Sequence, residues 1–345
     1  MTKLETVIKK MSNGFNTGDI KLGVEFTDVE KIPFSSMRLN YMTYGGIPVG
    51  RICEFSGADG SGKTTTALDL AGNIQKLYPD KKVVFCDIEH TFDSSWATKL
   101  GVNIEELVYY DPDTQDAEEV FQNLLDLMDT GEVSLCILDS LGAMVSGQEN
   151  EKEVKERTYA GISQSLTRFS KKAIPICAKT KCIFLGINQI RDDLNSMYGG
   201  VVTIGGKAYR HNCTTRMSFR KGSYVDEKGN TLSRACENPV GNIVSVDLVK
   251  SKVCPPDRKV GFYTLNYMHG IDYVSDTVDL AIKEDIVHQS GAWFTIIDKD
   301  TGEILCDEDG NTMKWQGRPK LLDFLKENKN IYDKIVEQTS KSIAG

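Results

Sequence analysis

An α/β architecture, with a mostly parallel central sheet flanked by helices, is what this 345-residue sequence predicts. Three observations carry it. Short continuous apolar runs such as Cys136-Ile137-Leu138 read as strands covered on both faces, the habit of parallel sheets. Amphipathic helical stretches alternate with such runs from about residue 31 onward. Between one of these strands and a helix lies Gly57-Ala58-Asp59-Gly60-Ser61-Gly62-Lys63-Thr64, of the form G-x-x-x-x-G-K-T.

Taken in order, residues 1–30 read as an N-terminal helical arm, one amphipathic helix broken at Gly14–Asp19. Strands are expected at Arg51–Phe55, Lys82–Cys86, Leu107–Tyr110, Leu135–Leu138, Cys182–Ile187, Thr214–Phe219 and Ile243–Leu248. Helices are expected at Thr65–Leu77, Ser94–Leu100, Ala117–Leu127 and Tyr159–Lys179. The last two strands read as an antiparallel extension joined by an exposed, turn-rich Lys221–Asn230. The core domain so defined runs over residues 31–269. Residues 270–345 read as a small α+β C-terminal domain. Within it a helix covers Val278–Lys283, a hairpin pairs Trp293–Ile297 with Glu303–Cys306, and helices at Lys320–Glu327 and Ile331–Lys341 close the chain.

Composition sets bounds. No apolar run is long enough for a transmembrane helix, so no membrane partner is expected, and the charged N-terminus has no secretory h-region. The nine cysteines contain no CxxC pair and most sit inside apolar runs, so reduced, buried thiols and a cytoplasmic location are expected. The net charge of −8 confines any nucleic-acid site to a local basic surface.

The glycine loop implies a nucleoside triphosphate. Glycines let successive N–H groups point at phosphate oxygens, and the following helix adds the positive end of its dipole. Gly57, Ala58, Asp59, Gly60, Ser61, Gly62, Lys63, Thr64 and Thr65 form the expected ATP-binding stretch. Lys63 is placed to reach the β- and γ-phosphates, and the Thr64 hydroxyl to hold Mg²⁺. The competing reading, a glycine-rich turn with a chance lysine, does not account for the correct flanks. The apolar strand ending in Asp139 offers a second Mg²⁺ ligand at the carboxyl edge of a parallel sheet. Another strand ends in Asp87-Ile88-Glu89, whose alternation puts both carboxylates on one face. One of them could orient or deprotonate the attacking water; a solvated strand end or an ion pair explains them equally well.

Six motifs resemble the bacterial RecA recombinase family in collinear order from about residue 31 to 325. They are Glu89-His90-x-x-Asp93, Lys99-Leu100-Gly101-Val102, Asp111-Pro112-Asp113-Thr114, Ile187-Asn188-Gln189-Ile190-Arg191, Gly205-Gly206-Lys207-Ala208 and Ser290-Gly291-Ala292-Trp293-Phe294. The resemblance implies a RecA-type P-loop ATPase fold and a DNA-dependent ATPase of recombinational repair and the DNA-damage (SOS) response. It further implies a helical homo-filament on single-stranded DNA, with ATP at the subunit interface, and strand exchange with homologous duplex DNA.

By position, Glu89 matches the family's water-activating glutamate, Asp93 and Trp96 its adenine contacts, and Gln189 its γ-phosphate sensor. Lys250 and Lys252 match the lysine pair inserted into a neighbour's ATP; read alone, they are a solvated face. Two loops match the DNA-binding loops: about residues 146–163, with Lys155, Arg157 and Tyr159, and about residues 190–211. The second holds Arg191, Tyr198, Gly205, Gly206, Lys207 and Arg210, with Tyr198 at the place of the aromatic that wedges between bases.

Departures from the family pattern are Asp192 and Asp193 after Arg191, four glutamates (Glu149, Glu151, Glu153, Glu156) in the first loop, and Asp59-Gly60 in the phosphate loop. The sequence closes on Ser342-Ile343-Ala344-Gly345 without the family's acidic tail, so tail-dependent autoinhibition is not expected. A RecA-fold ring ATPase or helicase, and an ATP-binding DNA filament regulator with little strand exchange, are the alternatives.

Overall fold

The computed structural model describes residues 3, 6, 29–113, 116–147, 162–192, 201–227, 229–233, 238–307 and 309–344. Residues 1–30 form one compact unit and residues 31–345 another. In the first, Lys3 and Thr6 are helical; the remainder of the expected arm falls outside the described residues, apart from Val29 and Glu30.

The second unit opens with β1 (Lys31–Ile32), α1 (Met37–Thr43) and β2 (Ile47–Pro48). The alternating core follows: β3 (Ile52–Gly57), α2 (Lys63–Leu77), β4 (Lys82–Asp87), α3 (Ser94–Lys99), β5 (Leu107–Tyr110), α4 (Ala117–Asp129), β6 (Val133–Asp139), α5 (Ser163–Thr180) and β7 (Ile183–Asp192). Next come β8 (Val201–Thr203), α6 (Gly206–Asn212), β9 (Thr215–Val225), β10 (Thr231–Leu232), β11 (Gly241–Ser251), β12 (Val260–Asn266) and β13 (Gly270–Ile271). The C-terminal segment holds α7 (Tyr273–Lys283), β14 (Val287–Ser290), β15 (Trp293–Ile296), β16 (Trp315–Gln316), α8 (Arg318–Glu327) and α9 (Lys329–Ala344).

The main sheet has the order β13-β12-β11-β9-β3-β7-β6-β4-β5, parallel from β9 to β5 and antiparallel from β9 to β13. Alternation along the strands sorts side chains into two apolar clusters. Val83, Phe85, Leu135, Ile137, Ile183 and Leu185 point to the α2 side. Val84, Cys86, Cys136, Leu138 and Phe184 point to the α4 and α5 side. Both faces are therefore buried, which is why these strands read as unbroken apolar runs.

The antiparallel extension is present but longer than its apolar pattern. Lys221–Val225 stays in β9, and the chain turns after it, with Gly229 N–H donating to the Asp226 carbonyl at 2.9 Å. The outer part of β9 has solvent on its side chains, so polar residues fill a strand that backbone pairing to β11 holds in place. In the C-terminal segment the turn at Asp298–Gly302 forms, with Asp298 N–H to the Glu303 carbonyl at 2.8 Å. There, however, β15 takes its regular partners from β14 and β16, and Ile304 meets Ile297 as an isolated bridge.

A buried carboxylate ties α1 to α7. Asp276 Oδ2 accepts from Ser36 Oγ at 2.7 Å and from the Arg38 amide at 3.1 Å, while Oδ1 lies 3.4 Å from Arg38 Nε. Burial pushes its pKa up to about 6, against the pull of those donors. An acid whose pKa is higher folded than unfolded favours the folded state at low pH, and that contribution is lost as pH rises through the window. Asp276→Asn removes the dependence. Relative to wild type, the variant is expected to gain about 2 kcal/mol between pH 4.5 and pH 7, read by thermal denaturation at both pH values. A pH-independent difference between the two proteins would show that Asp276 is already ionised throughout.

Candidate functional site

Parallel pairing brings the carboxyl ends of β3, β7, β6 and β4 to one edge. Register places Gly57 opposite Gln189 and Asp87 opposite Asp139. The phosphate loop leaves β3 and enters α2 at Gly62, where φ is +96° and a Cβ would stand 2.9 Å from the Tyr263 hydroxyl. Only glycine satisfies both the left-handed backbone and that contact. Gly62 gives α2 no side-chain cap, so the first-turn N–H groups remain for an anion.

Lys63 is buried, and its Nζ donates to the carbonyls of Gly57 at 3.0 Å and Ala58 at 2.8 Å. Burial lowers its pKa, opposed by the charges of Asp139, Asp59 and Glu89. Ala58, Asp59 and Gly60 are exposed at the loop's tip, and Thr65 is half-buried in the first turn of α2.

Thr64 Oγ1 donates to Asp139 Oδ2 at 2.6 Å. Burial pushes the Asp139 carboxyl up to about 6, with the Thr64 hydrogen bond opposing. Ser61 Oγ is buried without a hydrogen-bond partner. A hydroxyl and a carboxylate in contact are a pair of hard oxygen donors that fits Mg²⁺. Among the described residues no cluster of three or more His, Cys, Asp or Glu could hold a metal alone. Water and phosphate oxygens would complete the coordination shell.

The two candidate carboxylates of β4 separate. Asp87 is buried, its Oδ2 accepting from the Phe92 amide at 2.8 Å and the Tyr109 hydroxyl at 3.2 Å. Glu89 is exposed beyond the strand end, where the alternation no longer applies. Its Oε1 accepts from the Ser140 hydroxyl and from Gln189 Nε2, the latter at 3.0 Å. Ser140 went unnoticed in the sequence, although it directly follows the strand-end acid. Asp93 caps α3: its Oδ1 accepts from the Ser95 and Trp96 amides at 2.8 and 3.1 Å. Those bonds, the Ser95 hydroxyl foremost, lower its pKa. Trp96 is half-buried against the α2-side cluster.

A family model described as the RecA N-terminal domain matches residues 2–272. The Protein RecA of Rickettsia canadensis is 32% identical over 321 residues, 92% of this chain and 86% of its own length. The Protein RecA of Geobacter metallireducens is 32% identical over 343 residues, 97% of this chain and 94% of its own. That of Ruminococcus albus is 32% identical over 347 residues, 99% and 80% respectively. The chain belongs to the RecA family. Membership carries ATP binding and a place in DNA recombination and repair.

In this RecA-family chain Lys250 and Lys252 lie at the other end of the sheet. Lys250 pairs with Arg216 and Ser251 with Thr215, and Thr215 pairs with Cys53 at the start of β3, four residues before Gly57. Both ammonium groups face one side. Lys250 Nζ donates to the Arg210 and His211 carbonyls at 2.7 and 2.9 Å, and Lys252 Nζ to His211 at 2.9 Å. They cap the carboxyl end of α6, where cations suit the helix dipole. Burial lowers the Lys250 pKa, and Lys252 lowers it further.

Of the RecA-like loop residues, Lys155, Arg157, Tyr159, Tyr198 and Asp193 fall outside the described residues, as do the four loop glutamates. Arg191 is exposed on β7, which pairs with β8 as a hairpin, Arg191 opposite Val202. Lys207 is exposed at the start of α6, and Arg210 Nε donates to the Gly206 carbonyl at 3.1 Å. Gly205, at φ +101°, has no room for a side chain, since a Cβ would stand 2.4 Å from Leu166 Cδ2. Among the described residues no helix is long and apolar enough to cross a membrane.

Lys63→Ala removes a buried cation that serves only its own loop's carbonyls. The melting temperature is expected to hold or rise while ATP affinity falls at least about tenfold, measured by titration with a fluorescent ATP analogue. Unchanged affinity would take the lysine out of the phosphate site.

Proposed function

We propose that this chain is a DNA-dependent ATPase that polymerises on single-stranded DNA and carries out homologous pairing and strand exchange. The observation that carries this reading is the 3.0 Å hydrogen bond from Gln189 to Glu89. It joins the candidate base to the strand that becomes, one residue later at Ile190, the arm of the hairpin with the second DNA loop.

Glu89 accepts both donors on Oε1, which leaves Oε2 to orient the attacking water and take its proton. A γ-phosphate competes with Glu89 for the Gln189 amide, so nucleotide state and loop position are linked through one side chain. Bound Mg²⁺ would offset phosphate charge from the Thr64 and Asp139 oxygens. Lys250 and Lys252, on the far edge of the sheet, suit the ATP of the next subunit, where two cations stabilise charge developing in the transition state. Gly57 to Thr65 hold the phosphates, and Asp93 and Trp96 flank the base. Arg191, Lys207 and Arg210, with Lys155, Arg157, Tyr159 and Tyr198, contact the DNA. The α+β segment that follows β13, from α7 onward, is an accessory to this machinery within the same compact unit.

Hydrolysis by the full chain, with and without single-stranded DNA at two salt concentrations, tests the reading. Stimulation by DNA that fades with salt is the expected outcome, because phosphate contacts release counterions; equal rates with and without DNA would refute it. Glu89→Gln is expected to keep ATP binding and lower DNA-stimulated turnover at least about a hundredfold. Normal turnover in that variant would move the base elsewhere.

A further inference from the structure

A charged group is sealed inside the central sheet beneath the β7–β8 hairpin. Glu54 of β3 is fully buried, between Gly186 of β7 and Arg216 of β9 in register. On the same face of β3, Ile52 is apolar and Ser56 uncharged, and both are buried, so the carboxylate is the one acidic group of that strand face. Glu54 Oε2 is ion-paired with Arg216 Nε, and Oε1 accepts from Asn188 Nδ2 at 2.8 Å. Buried pairs of this kind add little stability over an apolar replacement, yet losing one partner strands the other charge and is costly.

Both partners reach onward to the same place. Arg216 Nη2 donates to Thr203 Oγ1 at 3.1 Å, and Asn188 Nδ2 donates to the Ile204 carbonyl at 2.9 Å. Thr203 closes β8, the returning arm of the hairpin, and Ile204 follows it. Asn188 is also the residue before Gln189, on the outgoing arm. One amide nitrogen thus serves the buried carboxylate and the returning arm at once, while Asn188 Oδ1 is buried without a partner. Both bonds are made one residue before Gln189 on β7.

We infer that Glu54 is a positioning residue: through Asn188 and Arg216 it latches the returning arm of the hairpin to the phosphate-loop strand. The state of Gln189 then reaches the loop through both arms instead of one. This rests on the DNA-dependent ATPase reading above and assigns that coupling a second, buried path.

Thr203→Val tests it with the least disturbance, because valine keeps the volume and removes only the acceptor for Arg216. Turnover of the full chain is measured at saturating ATP, with and without a saturating polythymidine oligonucleotide, beside melting temperature and oligonucleotide affinity. The expected result is a stimulation ratio about tenfold below wild type with the melting temperature little changed, and recovery to within about twofold in Thr203→Ser. Glu54→Gln is expected to lose at least as much. A merely structural role would lower the melting temperature and leave the ratio alone. Should Glu54→Gln fail to fold, the Thr203 pair decides. If wild type is stimulated and both Thr203→Val and Glu54→Gln keep its ratio within about twofold, the latch is wrong and the ATPase reading stands. If wild type itself shows no stimulation, that reading fails and the latch falls with it.

Discussion

Parallel pairing in fixed register is the constraint on which the site depends. Because β3, β7, β6 and β4 run the same way, their last residues emerge along one edge. Gly57, Gln189, Asp139 and Asp87 then lie side by side without any long-range folding of loops. A single-residue slip of β6 would move Asp139 away from the Thr64 hydroxyl and turn Leu138 from the α4–α5 cluster toward the opposite face. Packing on both faces therefore fixes the chemistry as well as the core.

The same packing makes the site's charges costly. Asp139 sits high at about 6 because it is buried, and Lys63 is pulled down for the same reason. Both shifts oppose the charged forms that phosphate and a divalent cation require.

Much of this was legible in the sequence for local reasons. The phosphate loop has a fixed spacing, and strands such as Val133–Asp139 are continuous apolar runs with an acid at the end. The outer half of β9 was not legible, because most of its side chains face solvent and pairing to β11 and β10 holds it extended. Asp87 and Glu89 looked equivalent by alternation. What separates them is tertiary: Phe92 and Tyr109 claim one, Ser140 and Gln189 the other. Likewise Glu54 looks like an ordinary residue in a strand, since its partners lie 134 and 162 positions away. Asp93 carries a plain capping signature before Ser-Ser-Trp that the family comparison overshadowed.

Finally, the phosphate loop and the Lys250–Lys252 pair occupy opposite edges of one rigid sheet. Under the proposed role of that pair, each chain presents two unlike faces, and a repeat that seats one chain's pair against the next chain's phosphate loop is heterologous, head to tail. An open head-to-tail assembly would have polarity and would hold one fewer complete active site than it has subunits. Short assemblies would then be disproportionately poor ATPases, and turnover per subunit would itself report length.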